Sequence, residues 1–129
     1  MSDGECNEGQ TWEAAQYASH FKLSNIIAMI DKNGYQALGK TSEVLGDSAS
    51  REKWKNFGFE IFEADGHNFT QMSKVLNSAR KSKVQKPKMI IFNTIKGYGV
   101  SFMANKFESH YQRLTQEQYE IALKDVEKL

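Results

Sequence analysis

The chain has 129 residues, enough for one domain with one modest core. It is 40% hydrophobic and 26% charged, the balance of an ordinary soluble globular chain, and a net charge of +1 leaves no broad basic face for a phosphate backbone. Its longest apolar stretch, Ile26 to Ile30, is far too short to span a bilayer, so composition argues against both nucleic acid and membrane as partners.

A single cysteine, Cys6, excludes an internal disulfide and fits a reducing, cytoplasmic setting. The chain opens on "MSDGECNEGQTWEAA", a cluster of glycines and carboxylates that reads as a working loop. Behind it Ala14, Tyr17/Ala18 and Phe21 recur at helical spacing and predict a helix from about Glu8 to Lys22. "NIIAMID" (25–31) is a short β-branched run, typical of a buried parallel strand, and "KNG" then turns. Residues 35–47 lack periodicity and read as loop. Ser48 or Ser50 caps a helix running to Phe57, closed by Gly58. "FEIFEAD" (59–65) alternates and reads as a strand near a sheet edge. "DGHN" leads into a helix from about Phe69 to Lys83, with Met72, Val75/Leu76 and Ala79 inward. "KMIIFNTI" (88–95) is another buried strand, and 96–113 is glycine-punctuated loop. Thr115 with Gln118 makes a capping box for a last helix lined by Tyr119, Ala122/Leu123 and Val126.

Helices thus alternate with strands, the pattern of an α/β domain with a mostly parallel sheet. In such sheets ligands bind at the carboxyl ends of the strands, where "DKNG", "ADGHN" and "IKGYGVS" should gather. The same logic calls for a strand before Asp3, which the sequence does not contain. The expectation is a chain cut at its N-terminus or completed by another chain.

Asp3 at the end of such a strand, glycines beside it and a helix starting near Glu8 suit a phosphate with a metal ion. Asp3 offers a hard oxygen to Mg²⁺, Asn33 an amide oxygen and Tyr35 its main-chain carbonyl. A solvated turn followed by a capped helix is the plain alternative. Cys6, beside a helix N-terminus, has a setting that lowers a thiol pKa, though a spectator role is favoured. His67 reads as a turn residue capping the next helix, His20 as surface or packing, and Trp12 and Trp54 as packing. Lys96 suits either a phosphate or a structural ion pair.

The stretch "SDGECNEGQTWEAAQYASHFKLSNIIAMIDKNGYQALG" resembles the thiamine-diphosphate signature of transketolases, closest to the N-terminal subunit of split, two-chain enzymes. "WKNFGFEIFEADGHNF", "KPKMIIFNTIKGYGVSFM" and "ESHYQRLTQEQY" follow in the family's order, so the resemblance runs from residue 3 to the C-terminus. It implies a doubly wound, parallel-sheet diphosphate-binding domain, with residues 1–129 forming part of one. It implies Asp3, Asn33 and the Tyr35 carbonyl as ligands of Mg²⁺ (or Ca²⁺ or Mn²⁺), and Gly4 and Glu5 in the cofactor-binding loop. It implies Glu8 as a buried glutamate linking two cofactor sites near the subunit interface, and His110 as a histidine that reaches the diphosphate and the substrate. Ser2 stands where the signature has its first glycine.

The activity implied is transfer of a two-carbon ketol unit between sugar phosphates. The glutamate that activates the cofactor lies in a separate pyrimidine-binding domain, which this sequence lacks. The chain is therefore expected to contribute the diphosphate and metal half-site, to be inactive alone, and to need a C-terminal, pyrimidine-binding transketolase subunit in a dimer of pairs. The alternative is a non-catalytic interaction module, or a degenerate paralogue that no longer binds cofactor.

Overall fold

Four consecutive buried residues, Lys88 to Ile91, mark the middle of a sheet. In the computed structural model, which describes residues 1–129, the strand Lys88–Asn93 (β5) is indeed central. It pairs in parallel with Ile27–Lys32 (β1) on one side and Glu60–Asp65 (β4) on the other. A central strand is covered on both faces and reads as a continuous apolar run, whereas β4, at the edge, alternates. The edge placement expected for 59–65 holds.

The helix Gly9–His20 (α1) and the short helix Arg51–Asn56 (α3) cover one face. There Trp54, Ile30, Met89, Ile91, Phe59, Ala15 and Ala18 form the core, and Trp12 stacks on Trp54 with ring centroids 4.8 Å apart. The face of α1 that is buried is therefore Trp12/Ala15/Ala18, while Tyr17 and Phe21 stay exposed. Ser50 caps α3 by accepting from Lys53 N–H, and Gly58 closes it at φ +92°, a left-handed conformation suited to glycine. The helix Phe69–Lys81 (α4) packs on β4 and β5; its Ala79 is buried, but Leu76 remains 36% exposed. No helix is long and apolar enough to cross a membrane.

Three expectations change. Residues 35–47 are not loop: Tyr35–Gln36 (β2) and Gly39–Lys40 (β3) pair as a short antiparallel hairpin, followed by the helix Thr41–Val44 (α2). Two-residue strands are too short to show a period. The strand expected before Asp3 is reduced to a single parallel bridge at the edge of β1: Ser2 pairs with Asp31, Met1 N donates to Met29 O (2.8 Å), and Asp31 N–H donates to Met1 O (2.9 Å). The last helix, Gln116–Val126 (α5), has the capping box foreseen at Thr115 and Gln118 but buries none of its residues. Tyr119, Leu123 and Val126 are about half exposed, because periodicity says which side chains share a face and not whether anything covers it.

Candidate functional site

Asp3 is 2% exposed. It sits at the start of a 3-10 turn, Gly4–Asn7, directly behind the bridge to β1, so the sheet fixes its backbone. Its Oδ2 accepts two main-chain N–H groups from the turn after β1, Asn33 (2.7 Å) and Gly34 (3.0 Å). Gly34 has φ +80°, which lets that turn present both donors to one oxygen. Oδ1 is buried without any hydrogen-bond partner. Burial pushes the carboxyl pKa up; the Asn33 and Gly34 N–H groups pull it down, and Asp31 adds a smaller upward push.

A buried carboxylate oxygen with nothing to bind is costly unless a cation meets it. The nearby donors suit a hard one. Asn33 is tied to Asp3 through its own N–H, and its Oδ1 accepts from Tyr35 N–H at 3.0 Å. Tyr35 is anchored in β2 and by its hydroxyl, which donates to Asn105 O (2.6 Å). No group of three or more His, Cys, Asp or Glu side chains stands ready to hold a metal. One carboxylate, one amide and one carbonyl are too few for a closed cage and suit Mg²⁺, which takes its remaining oxygens from water and phosphates. The orphaned Oδ1 is what fits this chain to a metal-bound diphosphate.

Beside Asp3 opens a cleft of about 470 Å³. Gly4, Glu5, Glu8 and His110 all line it, together with Asn7 and Gln36. The fold thus brings four of the sequence-predicted residues to one cleft, whereas Asp3, buried, and Asn33 and Tyr35, half-buried, do not line it but adjoin residues that do or are bonded to one another. Glu5 accepts from Ser2 N–H at 2.7 Å. Glu8 occupies the N-cap position of α1 with no side-chain cap bond; it is exposed in this chain and not buried as expected, because nothing in the chain packs over the mouth of α1. His110 ends a 3-10 turn, Phe107–His110, in the long loop after β5; Tyr111 secures that turn by donating its hydroxyl to Ala37 O (2.9 Å).

Cys6 departs from expectation. It is fully buried, and burial, reinforced by the Asp3 charge, pushes its thiol up to about 12 instead of down. The residue stands at the end of the chain's first turn, inside the core, and not at the open mouth of α1. His67 does not cap α4; Asn68 does, accepting from Gln71 N–H at 3.0 Å. His67 Nε2 accepts from Ile95 N–H (2.8 Å), and its ring stacks on Tyr98 with centroids 3.7 Å apart. Lys96 makes no ion pair, and His20 is exposed.

Two residues of the cleft escaped the sequence reading. Asn7 Nδ2 donates to Gln36 Oε1 at 2.7 Å, and Ser48 Oγ donates to Asn7 Oδ1 at 2.6 Å. The three lie up to 41 positions apart, and no local pattern signals their meeting.

The family model described as "Transketolase, thiamine diphosphate binding domain" matches residues 1–126. The 6-deoxy-6-sulfo-D-fructose transketolase subunit SqwG of Clostridium sp. (strain MSTE9) is 39% identical over 128 residues, which are 99% of this chain and 46% of that protein. An apulose-4-phosphate transketolase subunit of Phocaeicola vulgatus is 36% identical over 98% of this chain and 44% of its own length. A crystal structure of transketolase from Campylobacter jejuni superposes with a TM-score of 0.87 at 28% identity, covering 98% of this chain and 20% of that one. The chain spans about half the length of the curated relatives it matches.

Proposed function

The chain belongs to the transketolase family, in its thiamine-diphosphate-binding domain, and from that premise we propose that it supplies the diphosphate and metal half-site of a transketolase-like enzyme. The observation that carries the proposal is the buried Asp3 carboxylate, with Oδ2 held by two N–H groups and Oδ1 free for a cation. Asp3, Asn33 and the Tyr35 carbonyl would hold Mg²⁺, and Gly4 and Glu5 would flank the diphosphate. Thiamine diphosphate, when bound, supplies a nucleophilic thiazolium carbon. The chain's own residues bind and orient it: the turns at 3–7 and 33–36 fix the anionic end, and His110, on a tethered loop, faces the same cleft. Glu8, uncommitted at the mouth of α1, is the carboxylate placed to couple this site to a neighbouring subunit.

The reaction we assign is two-carbon ketol transfer between sugar phosphates in the cytoplasm. A pyrimidine-binding subunit would complete the site within a dimer of pairs, and the isolated chain would not turn over. The relatives named as transketolase subunits support this reading.

Melting of the purified chain with and without Mg²⁺ and thiamine diphosphate tests it. Ligand at about a hundred times its Kd adds roughly 2.7 kcal/mol, a rise of roughly 5–15 °C for a domain of this size. Asp3→Asn keeps an acceptor for the two N–H groups but removes the charge, and should abolish the rise. No rise in the wild-type chain would leave the non-catalytic interaction module. Ketol transfer by the chain alone would overturn the half-site assignment.

A further inference from the structure

One polar atom of the cleft is unaccounted for. Gln36 is 7% exposed, and its amide nitrogen Nε2 is buried without an acceptor. The side chain lies against the loop at Gly4, where an added methyl would come within 3.3 Å of Gln36 Cβ; the glycine is what gives the glutamine room. Its other amide atom is committed, because Oε1 accepts from Asn7 Nδ2 and Asn7 Oδ1 in turn accepts from Ser48 Oγ. That relay has a direction. Ser48 donates, so Asn7 turns its own NH₂ to Gln36, and Gln36 is left with Nε2 as a spare donor in a cleft it lines.

Glu5 and Glu8 line the same cleft, yet neither carboxylate bonds to this nitrogen. The missing partner is therefore an acceptor brought by a ligand. Gln36 follows Tyr35 in β2, and its Cβ and Oε1 lie against Gly4, so its amide stands beside the loop glycine and next in sequence to a residue of the metal-binding set. A metal-bound diphosphate is rich in oxygen acceptors and offers no competing donor.

Resting on the cofactor-binding reading above, we propose that Gln36 is a diphosphate-gripping residue: Nε2 donates to a phosphate oxygen of the metal-bound diphosphate, and Asn7 and Ser48 are positioning residues that fix the amide in that sense. The amide adds a donor without adding charge beside two carboxylates. It also couples the 3–7 loop, the hairpin and the segment before α3 to the ligand through one line of hydrogen bonds.

The test is calorimetric titration of the chain with Mg²⁺ pyrophosphate and, separately, with Mg²⁺ thiamine diphosphate. Gln36→Met keeps the length and removes the donor. Gln36→Glu keeps the oxygen that accepts from Asn7 and replaces the donor with a carboxylate oxygen, so it preserves the relay if the methionine variant fails to fold. Asn7→Asp makes position 7 acceptor-only, which draws Nε2 inward and presents the amide oxygen to the ligand. All three should weaken both probes roughly tenfold or more, as loss of a hydrogen bond to a charged group does. Circular dichroism without ligand verifies that each variant is folded. Unchanged affinity in folded Gln36 variants overturns the proposal and leaves the cofactor reading intact. A loss confined to thiamine diphosphate, with pyrophosphate unaffected, overturns it too, because the contact would then be to the organic part. Failure of the wild-type chain to bind either probe removes the cofactor reading and this proposal together.

Discussion

The two ends of the chain are built on opposite terms. At the front, residues 1–7 bury Asp3 and Cys6 and are stitched to β1, to the turn at 33–34, to Gln36 and to Ser48. At the back, α5 begins with a complete capping box yet contributes no buried residue, and Tyr119, Ile121, Leu123, Val126 and Leu129 stand open to solvent. Its ties run through Asp125, which accepts from the Ser101 N–H (3.0 Å) and hydroxyl (2.7 Å), and through Leu129 lying over Gly99. Those bonds hold the Asp125 carboxyl below its ordinary range, the hydroxyl contributing most. The front is held by long-range contacts that bury its side chains, whereas the long-range ties at the back leave α5 unburied. A helix whose signals are all local forms where they dictate, but its stability comes from packing, and here packing is thin.

Replacing Trp54 with Ala should expose this difference most. Trp54 is 1% exposed, stacked on Trp12 and edge-to-face with Phe59 in the core against the sheet. Truncation of such a side chain costs about 3–5 kcal/mol, so denaturant melts should show a folded state barely populated. Its indole N–H is buried without a partner, so Trp54→Phe, which deletes that group, should cost much less than Trp54→Ala. Equal losses would mean that the ring volume is not what matters there.

Cys6 sharpens the contrast by pH. Its folded pKa is raised to about 12 from an ordinary 9.0, so the folded state keeps a proton that the unfolded state releases. Stability from this group is fully present below pH 9.0 and is lost as pH rises toward about 12. The loss should vanish in Cys6→Ala, measured as the difference between two stability-versus-pH curves. Iodoacetamide at a pH of about 8 should leave the native thiol unmodified and label it in denaturant. Rapid native labelling would mean that the front of the chain opens as easily as the back.

What the sequence made legible follows the same division. The centre of the sheet could be read because Met89 to Phe92 is one continuous apolar run, and the caps at Thr115 and, as one of two candidates, Ser50 could be read because both partners lie within three residues. Asp3 and Asn33 were reachable as a pattern, since strand-end loops of a parallel sheet converge by topology, whereas Glu8 and His110 came only with the family resemblance. Three things were not legible. The hairpin at 35–40 is shorter than any period. The Cys6 pKa reverses direction because burial outweighs a helix terminus, and burial is a property of the whole fold. The Ser48–Asn7–Gln36 line depends on side chains 29 and 41 positions apart, which no window along the chain can see.

The smallest effect is expected in α5, and it is the one that defines the comparison. Leu123 is 46% exposed and Tyr119 is 49% exposed, and α5 buries no residue. Truncating either to Ala removes little area from a packed environment, so global stability should change by less than about 0.5 kcal/mol, as surface substitutions do. Thr115→Ala differs in kind. It removes one arm of the capping box, the Thr115 hydroxyl that accepts from Gln118 N–H, and leaves the other, the residue-115 N–H donating to Gln118 Oε1. That should cost α5 about 1 kcal/mol in local hydrogen-exchange protection while leaving the melting of the sheet unmoved. A loss at Leu123 as large as a core truncation would show α5 packed into the domain, and the front and back of the chain would then be one cooperative unit. A local loss at Thr115 with silence at Leu123 would show a helix formed by its own caps, its apolar side chains still in water.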